Sequence, residues 1–140
     1  MKILSTLAHG IEDYLMVILL LAGPALFGFT DPAAATIFRA VGVVLLLLSL
    51  MTRYELGLIK AVPMKAHIAM DAIAALLLIV SPWLFGFNDE PARTWAPFVI
   101  LGAVILLSGM MTRTDPMVTT LDQDAEAARS ARHGRGPSPV

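Results

Sequence analysis

Four apolar runs of 17–22 residues dominate this 140-residue chain and decide what it can fold into. They extend over Ile11–Phe29, Pro32–Met51, Ala66–Phe87 and Trp95–Met111, and very few charges interrupt them. A helix that crosses a bilayer needs ~20 residues, so each run is long enough. Each is apolar nearly all round instead of along one stripe, as expected when the outer face meets lipid. Lipid-embedded strands would have to close into a barrel and alternate apolar with polar residues, which these runs do not. Composition agrees: 57% of the residues are hydrophobic and 15% charged, against about 45–50% and about 25% in a soluble domain. The expected fold is all-α, a polytopic membrane protein with four transmembrane helices.

The runs are not independent. At a shift of 58, His9, Asp13, Leu19, Leu20, Pro24, Leu26, Phe27, Gly28, Phe29 and Asp31 fall on His67, Asp71, Leu77, Leu78, Pro82, Leu84, Phe85, Gly86, Phe87 and Asp89. At a shift of 60, Phe38, Gly42, Val44, Met51, Thr52 and Arg53 fall on Phe98, Gly102, Val104, Met111, Thr112 and Arg113. Chance alignment of apolar helices would match leucines, but not His, Asp, Pro, Gly and Arg in order. The chain therefore reads as a first helical-hairpin repeat over residues 1–58, a second over 59–113, and a largely disordered cytoplasmic tail over 114–140. Two spans per copy make these tandem parallel hairpins, related by a pseudo-two-fold axis along the membrane normal. The duplication also argues against a cleaved signal peptide at the first run, as do Glu12 and Asp13 directly against it.

Charge sets the expected orientation. Lys2, Arg53, Lys60, Lys65, Arg113, Arg129, Arg132 and Arg135 lie outside the two hairpin turns. Near the turns stand only Arg39 and Arg93, beside Asp31, Asp89 and Glu90. The positive-inside rule then puts both termini and the central loop in the cytoplasm, with the chain in the cell (inner) membrane. Arg39 is matched by Val99 in the second copy and is expected to snorkel to the outer headgroups.

The stretches GPALFGFTD (23–31) and SPWLFGFND (81–89) are the most specific signature. Pro24 and Pro82 each remove a backbone donor near the end of a helix. Gly28 and Gly86 suit the left-handed residue that ends it, with Phe29 and Phe87 as the hydrophobic latch. Asp31 before Pro32 is a helix cap followed by proline at the first helical position. Phe27, Phe85, Trp83 and Trp95 sit where an interfacial aromatic belt belongs. The Ser81-Pro82-Trp83 triplet near the outer end of the first helix of a duplicated two-helix unit resembles the SPW repeat family of small bacterial integral membrane proteins. The resemblance covers about residues 9–113. The first copy keeps only the proline of the triplet, as Gly23-Pro24-Ala25. The resemblance implies a membrane-bound repeat protein and supplies neither a reaction nor a ligand.

Ionisable residues inside a bilayer need a reason. Asp13 and Arg53 lie at similar depth on either side of the first turn, as do Asp71 and Arg113 about the second; ion pairs Asp13–Arg53 and Asp71–Arg113, or their crossed versions, are expected. His9/Asp13 and His67/Asp71 place both side chains on one helix face. Were the two first helices to meet face to face, this polar face could hold a divalent metal or relay protons. The preferred reading is plainer, with His9 and His67 bonded to their own aspartates or to headgroups, and no metal or cofactor is assigned. Gly42, Gly102 and the Ala69, Ala72, Ala75 series mark expected helix-packing seams. The central loop 52–65 is expected along the cytoplasmic surface, with Pro63 in the first turn of the third helix. A short helix is expected around Asp122–Ala131.

With no cysteine and a net charge of −1, thiol chemistry and dedicated nucleic-acid binding are excluded. No nucleophile–base pair or phosphate loop is evident. The functional expectation is a non-enzymatic membrane bundle, structural or partner-binding, with the lipid bilayer as its medium and a homo-oligomer or another membrane protein as partner. The alternative is a small oligomeric transporter or channel subunit that uses the Asp/His face.

Overall fold

A computed structural model describes residues 3–114, 127–129 and 131. Four helices follow in order: α1 (Thr6–Leu26), α2 (Pro32–Met51), α3 (Met64–Leu84) and α4 (Ala92–Met111). All four are long and apolar enough to cross a membrane, and 33 to 39% of each span is buried inside the chain. The rest, including Leu15, Ile18, Leu47, Ile73, Leu76, Ile100 and Leu107, points outward as lipid-facing surface.

Helices α1 and α2 form one hairpin and α3 and α4 the other, and each helix packs most extensively on its own hairpin partner. Glycine sets the closeness of that packing. A Cβ on Gly102 would lie 2.7 Å from the Ala75 carbonyl oxygen, and one on Gly42 would lie 2.9 Å from Leu20 Cβ. Ala75 is fully buried in this seam, whereas Ala72 is half-buried and Ala69 exposed, so the alanine series marks the seam at its last member only.

The turns are built as their sequences demand. Gly28 (φ 65°) and Gly86 (φ 74°) take the left-handed conformation. The Phe29 amide then bonds the Pro24 carbonyl and the Phe87 amide the Pro82 carbonyl, both at 2.9 Å. This six-to-one bond is the Schellman closure of a helix. It ends α1 and α3 at Leu26 and Leu84, three residues before the apolar runs themselves end. Asp31 caps α2, its carboxylate accepting from the Ala34 amide at 2.6 Å. The latch phenylalanines turn inward. Phe29, Phe87, Phe38 and Phe98 form one aromatic cluster across the two repeats, with Phe38 and Phe98 centroids 4.6 Å apart. Trp83 instead faces outward.

At the opposite end the repeats exchange backbone bonds with matching geometry. Leu4 bridges to Thr112, and its equivalent Val62 bridges to Thr52. The connection between the repeats lies at the surface over residues 58–61, as expected, but its first half is held inward. Pro63 is the residue that caps α3 from outside, and Tyr54 is buried with only 2% of its surface exposed. Its ring fills the gap left by Gly10, where a Cβ would come within 2.1 Å of Tyr54 Cε2. The Tyr14 hydroxyl donates to the Leu56 carbonyl at 3.1 Å, and Thr6 donates to Glu55 at 2.8 Å, pinning the connection onto α1. Burial pushes the Tyr54 phenol above its ordinary range, so it stays protonated. In the tail, residues 127–129 and 131 are helical, and the rest of the expected Asp122–Ala131 helix and of the disordered end lies outside the described residues.

Candidate functional site

The spacing of His9 to Asp13 and of His67 to Asp71 puts each pair on one face of its helix, and the fold turns the two faces toward each other. Asp13 lies seven residues into α1, ~10 Å from its start, inside the span. His67 Nε2 is 3.0 Å from both Asp13 Oδ2 and Asp71 Oδ2. His9 Nε2 is 3.3 Å from Asp71 Oδ2 and 3.6 Å from Asp13 Oδ1. The two rings stand edge to face, with centroids 5.5 Å apart. His9, His67 and Asp71 are almost wholly buried, while Asp13 keeps 13% of its side-chain surface.

Each histidine is therefore shared between its own aspartate and that of the other repeat. The ion pairs expected from the sequence are replaced by this arrangement. Among the described residues, neither Asp13 nor Asp71 pairs with an arginine. Arg53 lies just beyond the end of α2, and its Nε donates to the Lys60 carbonyl at 2.8 Å. Arg113 follows α4 in the same way, where a long cation can leave the apolar interior.

The outer faces of the imidazoles are held by residues that sequence reasoning did not single out as site residues. His67 Nδ1 lies 2.8 Å from Thr52 Oγ1. His9 Nδ1 lies 3.1 Å from Thr112 Oγ1 and 3.0 Å from Ser108 Oγ. Ser108 in turn donates to the Glu12 carboxylate. Thr52 and Thr112 are equivalent in the duplication, which is the signal the sequence carries for them. The histidine of each repeat is thus held by the threonine of the other. The Tyr54 ring lies tilted against His67, with centroids 5.8 Å apart, and closes one side of the cluster.

The signature residues lie at the other end of the bundle. Pro24, Gly28 and Phe29, and Pro82, Gly86 and Phe87, build the turns described above. Ser81 donates to the Leu77 carbonyl at 2.6 Å inside its own helix, and Phe85 lines an apolar groove of about 340 Å³ between α2 and α3 with Val44, Leu48, Met70 and Leu77. Phe27 packs on the core.

A protein-family model, the SPW repeat domain, matches residues 7–112. Neither a curated protein nor a solved structure matches the chain. The matched segment begins two residues before His9 and ends at Thr112, so it contains the whole polar cluster.

Proposed function

This chain belongs to the SPW repeat family, and we propose that it serves as a non-enzymatic structural membrane bundle that packs against other membrane proteins or further copies of itself. The observation that carries this reading is where the polar groups go. Ionisable side chains inside the span close on one another between the repeats, and the outward surface is apolar. Such a cluster fixes how two hairpins sit together, at a desolvation cost that mutual pairing offsets. The groove between α2 and α3 offers a further transmembrane helix a place to pack. The excess of Lys and Arg outside the turns supports termini in the cytoplasm, and spans that are helices instead of barrel strands support residence in the inner membrane.

The test uses the absence of native cysteine. Single Leu77→Cys and Val44→Cys chains, crosslinked in native membranes and read by mass spectrometry, should yield one defined adduct, to itself or to one partner. Tags on the two ends should report the same compartment. A second reading, a small oligomeric transporter or channel subunit, draws on the partial exposure of Asp13. Ion flux in proteoliposomes that vanishes in Asp13→Asn/Asp71→Asn would replace the structural role with that one.

A further inference from the structure

The hydrogen bonds around the two histidines fix where their hydrogens are. Thr52 Oγ1 donates its only hydrogen to the Leu48 carbonyl at 2.6 Å, so toward His67 it accepts, and His67 Nδ1 carries the hydrogen. Thr112 Oγ1 donates to the Ser108 carbonyl at 2.7 Å, and Ser108 Oγ donates to Glu12. Both therefore accept from His9 Nδ1. A neutral imidazole with its hydrogen on Nδ1 presents a bare lone pair at Nε2. Both Nε2 atoms face the carboxylates of Asp13 and Asp71, so positive charge belongs there, either as a second hydrogen on each ring or as a cation held by the two lone pairs.

The geometry says what kind. Nε2 has one in-plane direction, yet His67 Nε2 stands 3.0 Å from each of two carboxylates. The ring directions pair His67 with Asp13 and His9 with Asp71 as hydrogen-bond partners, and the second carboxylate still stands 3.0 Å from His67 and 3.6 Å from His9, so all four groups converge on one centre. One ligand atom from each of the four residues can be chosen so that all lie within 4.8 Å of one another. A tetrahedral ion with bonds of ~2.0–2.1 Å separates its ligand atoms by roughly 3.3–3.4 Å; three nitrogen–oxygen separations here, from both histidines to Asp71 Oδ2 and from His67 to Asp13 Oδ2, run from 3.0 to 3.3 Å, and His9 meets the other Asp13 oxygen at 3.6 Å. Two neutral imidazoles and two carboxylates carry the charge that a divalent cation balances.

We propose that His9, Asp13, His67 and Asp71 form a binding site for a single divalent transition-metal ion of the zinc class, held between the two repeats. Two imidazole nitrogens favour that class over magnesium or calcium, which take oxygen donors. Thr52, Thr112 and Ser108 do what outer partners of metal-bound histidines do: each takes the far ring hydrogen and so sets the tautomer and the ring orientation. Each repeat supplies one His, one Asp and the threonine for the opposite ring, so the site needs both copies. It goes beyond the structural role proposed above and does not depend on it.

The test uses the full chain purified in detergent, stripped with chelator and titrated with Co²⁺, then Zn²⁺. The wild type should bind one ion per chain, with the strong visible absorption of four-coordinate cobalt, and Zn²⁺ should abolish that absorption by displacement. Asp71→Asn and His67→Ala should lose the absorption, and His133→Ala, which alters the third histidine in the sequence, should keep it. Thr52→Val retains all four ligands and should weaken binding by roughly 10–100-fold; it carries the comparison if a ligand variant fails to fold by circular dichroism. A folded wild type that takes up neither ion, or binding that survives unchanged in Thr52→Val and in a folded Asp71→Asn, overturns the site.

Discussion

His67 and Thr52 belong to different copies of the duplicated hairpin, yet His67 Nδ1 donates to Thr52 Oγ1 across 2.8 Å in a fully buried setting. The equivalent bond from His9 to Thr112 measures 3.1 Å, but His9 has a second acceptor in Ser108 at 3.0 Å. The pseudo-symmetry is broken there because Ser108 falls opposite Leu48 in the first copy.

That asymmetry gives a ranking. Thr52→Val leaves the buried His67 N–H with no acceptor and should cost about 1–3 kcal/mol. Thr112→Val leaves Ser108 in place for His9 and should cost less. Thermal unfolding in detergent checks the order, with Thr52→Ser close to wild type. Equal losses in the two valine variants would show that Ser108 does not serve His9.

Coupling energies separate the observed pairing from the one expected of the sequence. A double-mutant cycle between His67→Ala and Asp13→Asn should give a coupling of about 0.5–3 kcal/mol, because the two side chains are in contact. The cycle between Arg53→Gln and Asp13→Asn should give a much smaller one, since Arg53 is engaged with the Lys60 carbonyl. A large Arg53 coupling would restore the ion pair.

These outcomes bear on what the sequence could reveal. The spans, the duplication and the turn chemistry were legible because each has a local cause: apolar length, a repeated pattern, glycine where φ is positive. The helix starts were less so. Helix α1 begins five residues before Ile11, since Ser5 caps it through the Ala8 amide at 3.1 Å and polar residues there still pack inside the bundle. The His-x-x-x-Asp spacing announced a polar face, but not what that face meets. Choosing histidine over arginine as the partner of Asp13 requires knowing which sides of α1 and α3 touch, and that is settled by Gly10, Tyr54 and the cross-repeat backbone bonds of Leu4 and Val62.

The helix seam can be probed by adding one carbon. Gly102→Ala would set a Cβ 2.7 Å from the Ala75 carbonyl oxygen, which is backbone and can yield only if α3 and α4 separate. Overpacking of this kind costs about 1–3 kcal/mol. Gly109→Ala meets only Ile68 Cγ2 at 3.4 Å, an ordinary contact, and should be near neutral. A lowered detergent melting temperature for Gly102→Ala alone is expected; equal effects would deny that the backbones approach most closely there.

The turn glycines test a different cost. A Cβ at Gly28 or Gly86 meets nothing within 4 Å, so space is not the constraint. The constraint is the positive φ at both positions, which costs an L-residue roughly 1–2 kcal/mol. Gly28→Ala and Gly86→Ala should therefore each destabilise by about that amount, and additively, because each acts on its own turn. Asparagine tolerates the left-handed region better, so Gly86→Asn should recover part of the loss. If alanine and asparagine proved equally harmful in thermal unfolding, crowding by lipid or by a bound partner at the turn, not backbone conformation, would be the cause.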